Sequence, residues 1–108
     1  MRTLRFIVTD GQRLFKDPDC NFSGIFKGTS GYLEAEFELS SEWRGCKVCA
    51  IFSKPAYKKP VEYPVILKGN KCLIPDEVLN EDRIMVSLLG MKKDYKIKSS
   101  TAIIRQER

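Results

Sequence analysis

Tyr32-Leu33-Glu34-Ala35-Glu36-Phe37-Glu38-Leu39 alternates without a break. Leu33, Ala35, Phe37 and Leu39 fall on one side of an extended chain, and Glu34, Glu36 and Glu38 on the other. The period is two, so the stretch predicts a strand with one face on a core and one in water.

The same alternation recurs on both sides of this stretch. Upstream, Leu4, Phe6 and Val8 share one face of a first strand. Asp10-Gly11 then signals a turn, and Arg13 to Lys16 pairs back as a hairpin. From Asn21 to Gly31 the chain is broken up by Gly24, Gly28 and Gly31, too punctuated for a long element. Downstream, Ser40 to Gly45 forms a corner holding the only tryptophan, Trp43. Cys46 to Ser53 is almost continuously apolar, as expected of a strand central in a sheet. A proline-bracketed polar loop from Lys54-Pro55 to Lys59-Pro60 carries Tyr57, Lys58 and Lys59 as a candidate contact site. Tyr63 to Leu67 and Lys71 to Ile74 flank Gly69-Asn70 and read as a hairpin. Pro75 to Asn80 is the one helical signal, with proline at the first position and acids in the first turn. Arg83 to Leu89 is a strand ended by Gly90. Lys92 to Lys98 and Thr101 to Arg105 finish the chain, turning at Ser99-Ser100. The prediction is an all-β fold, an antiparallel sandwich of about seven to eight short strands with one short helical turn, in a single domain over residues 1–108.

The composition excludes several functions. Histidine is absent, which removes the usual general base near neutral pH and most catalytic triads. Glu34, Glu36 and Glu38 resemble paired catalytic carboxylates only in type, since ordinary strand alternation produces their spacing. Gly24-Ile25-Phe26-Lys27-Gly28-Thr29 lacks the Walker spacing. No catalytic residue and no cofactor is implied. Cys20, Cys46, Cys49 and Cys72 include one CxxC, but there is no second one and no histidine to complete a zinc site. The residues after Cys46 read as strand, where a redox pair needs a helix N-terminus. The expectation is four buried or half-buried thiols and no metal.

No apolar run reaches the roughly 18 residues of a membrane-spanning helix. Arg5 interrupts a start that otherwise has the early arginines of a signal peptide, so no export by a signal peptide and no membrane partner are expected. The net charge of +5 is uneven: residues 1–54 carry eight basic and seven acidic side chains, and residues 55–108 eleven and seven. No aromatic-basic cluster of the RNA-binding kind lies on one strand, so nucleic acid is not the expected partner. Trp43, Tyr57 and Tyr63 are the residues a carbohydrate-binding module would use, which is the alternative function.

Two charged stripes suit protein contacts better. Glu34, Glu36 and Glu38 make an acidic one; Lys92, Lys96 and Lys98 make a basic one that shares its face with Asp94. On neighbouring strands the stripes would pair across the sheet. On opposite sides of the domain they would mediate head-to-tail contacts between copies, giving a homo-oligomer.

The order of motifs resembles the immunoglobulin-like N-terminal domain of upper baseplate and related tail-tip proteins of phages infecting Gram-positive bacteria. The matching residues are Tyr32 to Phe37, Trp43 with Gly45, and Val48, Ala50 and Phe52 on the central strand. They continue with Cys72-Leu73-Ile74-Pro75-Asp76-Glu77-Val78-Leu79 and Val86-Ser87-Leu88-Leu89-Gly90, so that the likeness spans residues 3–105. It implies an immunoglobulin-like sandwich without enzymatic activity, made in the bacterial cytoplasm and assembled into a virion tail. Its partners would be other tail and baseplate proteins. Members of that family usually continue into a coiled-coil, collagen-like or receptor-binding region, where this sequence stops at Arg108.

Overall fold

The computed structural model describes residues 1–55 and 59–108. Among them run nine strands: β1 (Arg2–Thr9), β2 (Arg13–Lys16), β3 (Leu33–Leu39), β4 (Lys47–Lys54), β5 (Val61–Ile66), β6 (Lys71–Leu73), β7 (Arg83–Met91), β8 (Lys96–Lys98) and β9 (Ala102–Arg105). Two short 3-10 turns, Ser41–Trp43 and Asp76–Val78, interrupt them. One sheet has the order β2-β1-β3-β6; the other has β5-β4-β7-β8, with β9 also on β7.

The inward residues of both sheets build one core. Leu4, Phe6 and Val8 from β1 meet Leu33, Ala35 and Phe37 from β3. Val48, Ala50 and Phe52 from β4 and Ile84, Val86 and Leu88 from β7 close it from the other side. Each large side chain buried here contributes about 1.5–3 kcal/mol. The Phe6 and Phe37 rings stack with centroids 5.2 Å apart, and Phe22 meets Phe6 edge-on at 5.3 Å. The alternation read from residues 32–39 therefore assigns the buried side of β3 correctly.

Not every pairing is antiparallel. β1 and β3 run parallel, with Arg2 opposite Leu33 and Val8 opposite Leu39. β2 takes the chain back beside β1 towards the end where β1 began, and from there β3 starts on the far side of β1 and runs the same way. Residues 17–32 make that crossing, a length that parallel pairing requires. Arg2 holds the crossing: its guanidinium donates to the carbonyls of Asn21, Ser23 and Gly24 at 2.6–2.9 Å. Ile25 then drops into the core, 2% exposed.

The expected hairpin around Gly69-Asn70 is half right. Both residues have positive φ (57° and 63°), and Lys68 and Lys71 exchange backbone hydrogen bonds across them, as in a tight hairpin turn. The flanking strands then part: β5 joins β4 in one sheet and β6 joins β3 in the other. Pairing strength at the turn is local, whereas the strands follow their buried residues.

Two further expectations need correction. Gly90 does not end a strand; β7 continues to Met91 with Gly90 paired to Val48 and Ile97. A Cβ at Gly90 would lie 2.8 Å from the Trp43 ring, so this position is glycine because the indole lies on the backbone there. The short helical turn expected at Pro75 is present as the 3-10 turn Asp76–Val78, but it is not the one such element, since Ser41–Trp43 forms a second.

β8 and β9 act as one edge strand broken at Ser99-Ser100-Thr101. Leu88 N–H donates to Ser99 Oγ at 2.8 Å, and Leu14 N–H donates to Ser100 Oγ at 2.9 Å. Gln12 Nε2 donates to the Lys98 carbonyl at 2.7 Å. The break thus ties β2 of one sheet to the last strand of the other, covering part of an edge that would otherwise be open to pairing.

Candidate interaction surfaces

The first surface is the outer side of the β2-β1-β3-β6 sheet. Glu34, Glu36 and Glu38 all point outward from β3, half-buried, half-buried and exposed respectively. Thr3 Oγ1 donates to Glu34 Oε1 at 2.7 Å, and Lys71 Nζ lies 3.8 Å from Glu36. Arg5 stands opposite Glu36 in register and is itself paired with Asp17 at 3.5 Å. The acidic stripe therefore has local partners, but they are on β1 and β6. An open depression of about 410 Å³ beside it is lined by charged and polar groups of Arg5, Asp17, Glu36, Glu38 and Asn70 and by the flanks of Phe6 and Phe37. Exposed Phe15 and Leu73 stand on the same outer face.

The lysine stripe is smaller than the sequence suggests. Lys96 and Lys98 do point outward from β8, with Ile97 buried between them. Lys92 does not join them. The Lys92 N–H donates to the Tyr95 carbonyl at 2.9 Å, so residues 92–95 form a turn, and Lys92 Nζ sits 5.1 Å from the centre of the Tyr95 ring. Its stem also rests against Gly45. Because β3 and β8 belong to different sheets, the two stripes are not neighbours. They face away from the core on opposite sides of the sandwich.

In the proline-bracketed loop, Lys59 is exposed, while Tyr57 and Lys58 lie outside the described residues. Trp43 is 2% exposed and packs on Gly90, so its ring is not a platform for a sugar. Tyr63 is half-buried, with Lys54 Nζ 5.9 Å above its ring. Neither described aromatic of the carbohydrate reading offers an open face.

The cysteines are distributed as structural thiols. Cys46 and Cys49 are three positions apart on extended backbone, which points them to opposite sides. Cys46 packs against the core edge, and Cys49 faces outward from β4. Burial pushes the Cys72 thiol up to about 12, with Cys49 and Glu34 adding in the same direction. Burial also raises Cys49, a backbone hydrogen bond near Val65 opposing it. Both shifts favour the neutral thiol over the nucleophilic thiolate.

The most extensive candidate surface was not read from the sequence. It is the outer side of the β5-β4-β7-β8/β9 sheet. Cys49 and Ile51 on β4 are flanked by Ile66 and Pro64 on β5 and by Leu89 and Ser87 on β7. Farther along, Met85 is paired with Ile103, and at the other end Met91 stands between Lys47 and Lys96. Ile66 is 54% exposed, Met91 51% and Ile103 37%. The signal was present in the apolar run Cys49-Ala50-Ile51-Phe52, which reads as a strand covered on both sides. Only its inner side is covered by the opposite sheet.

Around this apolar face stand Lys47, Lys96, Lys98, Arg83 and Arg105, with Glu62 as the acid on the β5 side. Among the described residues none of the five cations makes an ion pair. The fold and its surfaces define a mostly antiparallel all-β sandwich with two chemically different outer faces, one of mixed charge with the glutamate stripe set between cations of β1 and β6, and one apolar with a mainly basic rim. A scan of protein-family models and searches of curated proteins and solved structures find no match to the chain.

Proposed function

We propose that this chain is a non-enzymatic assembly module of a phage or prophage tail, part of a baseplate or tail-tip adhesion device, working through protein–protein contacts. The observation that carries the contact role is the apolar outer face of the β5-β4-β7-β8/β9 sheet. The largest exposed apolar patch of a small domain, about 300–600 Å² in a typical monomer, is often its functional surface. The tail assignment rests on the order of motifs from Tyr32 to Gly90 described above.

The topology supports an immunoglobulin-like version of the sandwich. In that fold one sheet carries strands G, F, C and C′ in order, and the other places A and E on either side of B. Here β8/β9, β7, β4 and β5 follow the first order, and β1, β3 and β6 the second. The parallel pairing of β1 with β3 and the added β2 depart from it.

The test is whether the chain travels with particles. In particles induced from cells that carry the gene, mass spectrometry of purified tails should find it. A Met91→Glu/Ile66→Glu variant, changed only at exposed positions, should fold normally and be lost from the tail fraction. Tails that form at normal yield without the chain would overturn the assignment.

A further inference from the structure

We infer that the corner between β3 and β4 holds a carboxylate-binding site. In it the Trp43 indole N–H, the Ser40 hydroxyl and the Arg44 guanidinium take the two oxygens of one carboxylate. The site lies apart from the apolar face and goes beyond the assembly reading. Three observations carry it.

The first is a pair of buried polar groups that no neighbouring residue satisfies. Trp43 is 2% exposed, and its Nε1 has no acceptor among the described residues. Ser40 Oγ, three positions earlier in the same corner, is likewise buried without a partner among them. Such groups are rare, because burial strips away the hydrogen bonds that water made to them. Both residues line one depression of about 280 Å³. The Cε3–Cζ3 edge of the indole rests on Gly90, so the opposite edge, which carries Nε1, faces away from β7 and into that depression.

The second is the sign of the lining. Arg44 is its one charged side chain, and it makes no ion pair among the described residues. Lys92 adds a cation at the margin: its Nζ is 3.7 Å from where a Cβ on Gly45 would stand, and Gly45 also lines the depression. The acids nearby are turned elsewhere. Glu42 Oε1 accepts from Gly11 N–H at 3.2 Å, while Asp10 and Glu38 line a separate depression that shares Ser40 and Ser41.

The third is the chemistry of the donors. An indole N–H and a guanidinium only donate, and the guanidinium offers a planar fork that matches a carboxylate. A hydroxyl donates equally well. A tetrahedral sulfate or phosphate would bring further oxygens, for which the lining holds no other buried donor. Against roughly 30 Å³ for a water molecule, the depression has room for the carboxylate and the methylenes that carry it. Leu39 and Val48 supply apolar contact for those methylenes.

The experiment is nitrogen–proton correlation NMR of the isotope-labelled full chain. Trp43 is the only tryptophan, so its indole gives a single resonance. Acetate exchanged for chloride at constant ionic strength should move that resonance downfield and saturate at roughly millimolar concentration, as expected for so small a ligand. Arg44→Ala and Ser40→Ala should each weaken binding about tenfold, since each removes a hydrogen bond to a charged group. Arg44 is exposed and Ser40 Oγ has no partner in the fold, so both variants should melt as the wild type does. A capped peptide with one glutamate then separates two sources of the carboxylate. Binding at least as tight as acetate assigns the site to an acidic side chain of a protein partner. A peptide that is excluded while acetate binds assigns it to a free small acid.

A resonance that stays still with both probes, that moves equally with acetamide or sulfate, or that responds unchanged in both variants would overturn the inference. So would a long-lived water on the indole N–H, seen by its nuclear Overhauser contact, that acetate does not displace.

Discussion

Trp43→Ala is expected to destabilise the fold by about 3–5 kcal/mol, the usual cost of deleting a fully buried large aromatic. Trp43 is 2% exposed and lies on the backbone of β7 at Gly90. The corner Ser41–Trp43 leads directly into β4, so the indole anchors the crossing between the two sheets. The reverse substitution should also be costly. Gly90→Ala places a methyl group 2.8–2.9 Å from the indole and 3.1 Å from Ile97 Cγ2, where it does not fit. Overpacking of this kind costs about 1–3 kcal/mol. The two positions share one space, so their effects should not add. In a Trp43→Leu background the penalty of Gly90→Ala should shrink, because the smaller side chain vacates the volume. Urea unfolding of the four proteins in this cycle checks it; strictly additive losses would show that the indole and Gly90 are not in contact.

Phe6→Ala should be of similar size, about 3–5 kcal/mol. Phe6 is 1% exposed, stacked on Phe37 and touched edge-on by Phe22. It lies on β1, which is held on one side by β2 and on the other by β3. Losing the ring therefore loosens both the hairpin and the parallel pair. Against a total stability of about 5–15 kcal/mol for a domain, either substitution removes a large part of the folding free energy. Phe6→Leu, which keeps most of the apolar volume, should cost clearly less. A melting temperature for Phe6→Ala within a degree or two of wild type would contradict the placement of this ring at the centre of the core.

Much of this core is legible in the sequence because it depends on alternation alone. Leu4-Phe6-Val8 and Leu33-Ala35-Phe37 point inward as their spacing requires. What alternation cannot reveal is which strands become neighbours. The parallel pairing of β1 with β3 follows from the return of β2 and the crossing held by Arg2, contacts about 20 residues apart in the chain. The glycine at 90 misleads for a related reason: glycine usually punctuates a strand, but here it makes room for a side chain 47 positions away.

The charged residues were found with mixed success for the same physical reason. Glu34, Glu36 and Glu38 form an outward stripe because they alternate on one strand. Lys92, Lys96 and Lys98 share a parity but not a strand, since the turn at residues 92–95 resets the direction of Lys92. Alternation does not reveal the apolar outer face because it is assembled from one or two residues on each of four strands. Ile66, Ile51, Leu89, Met85 and Ile103 are each unremarked in sequence and become one surface only through the register of β5, β4, β7 and β9.

That surface is the centre of the account, and carbene footprinting of the chain free in solution and within purified tails tests it most directly. Labelling of Met85, Leu89, Met91 and Ile103 should fall on assembly. Unchanged labelling of all four in a chain that is present in tails would contradict the account and place the contact elsewhere.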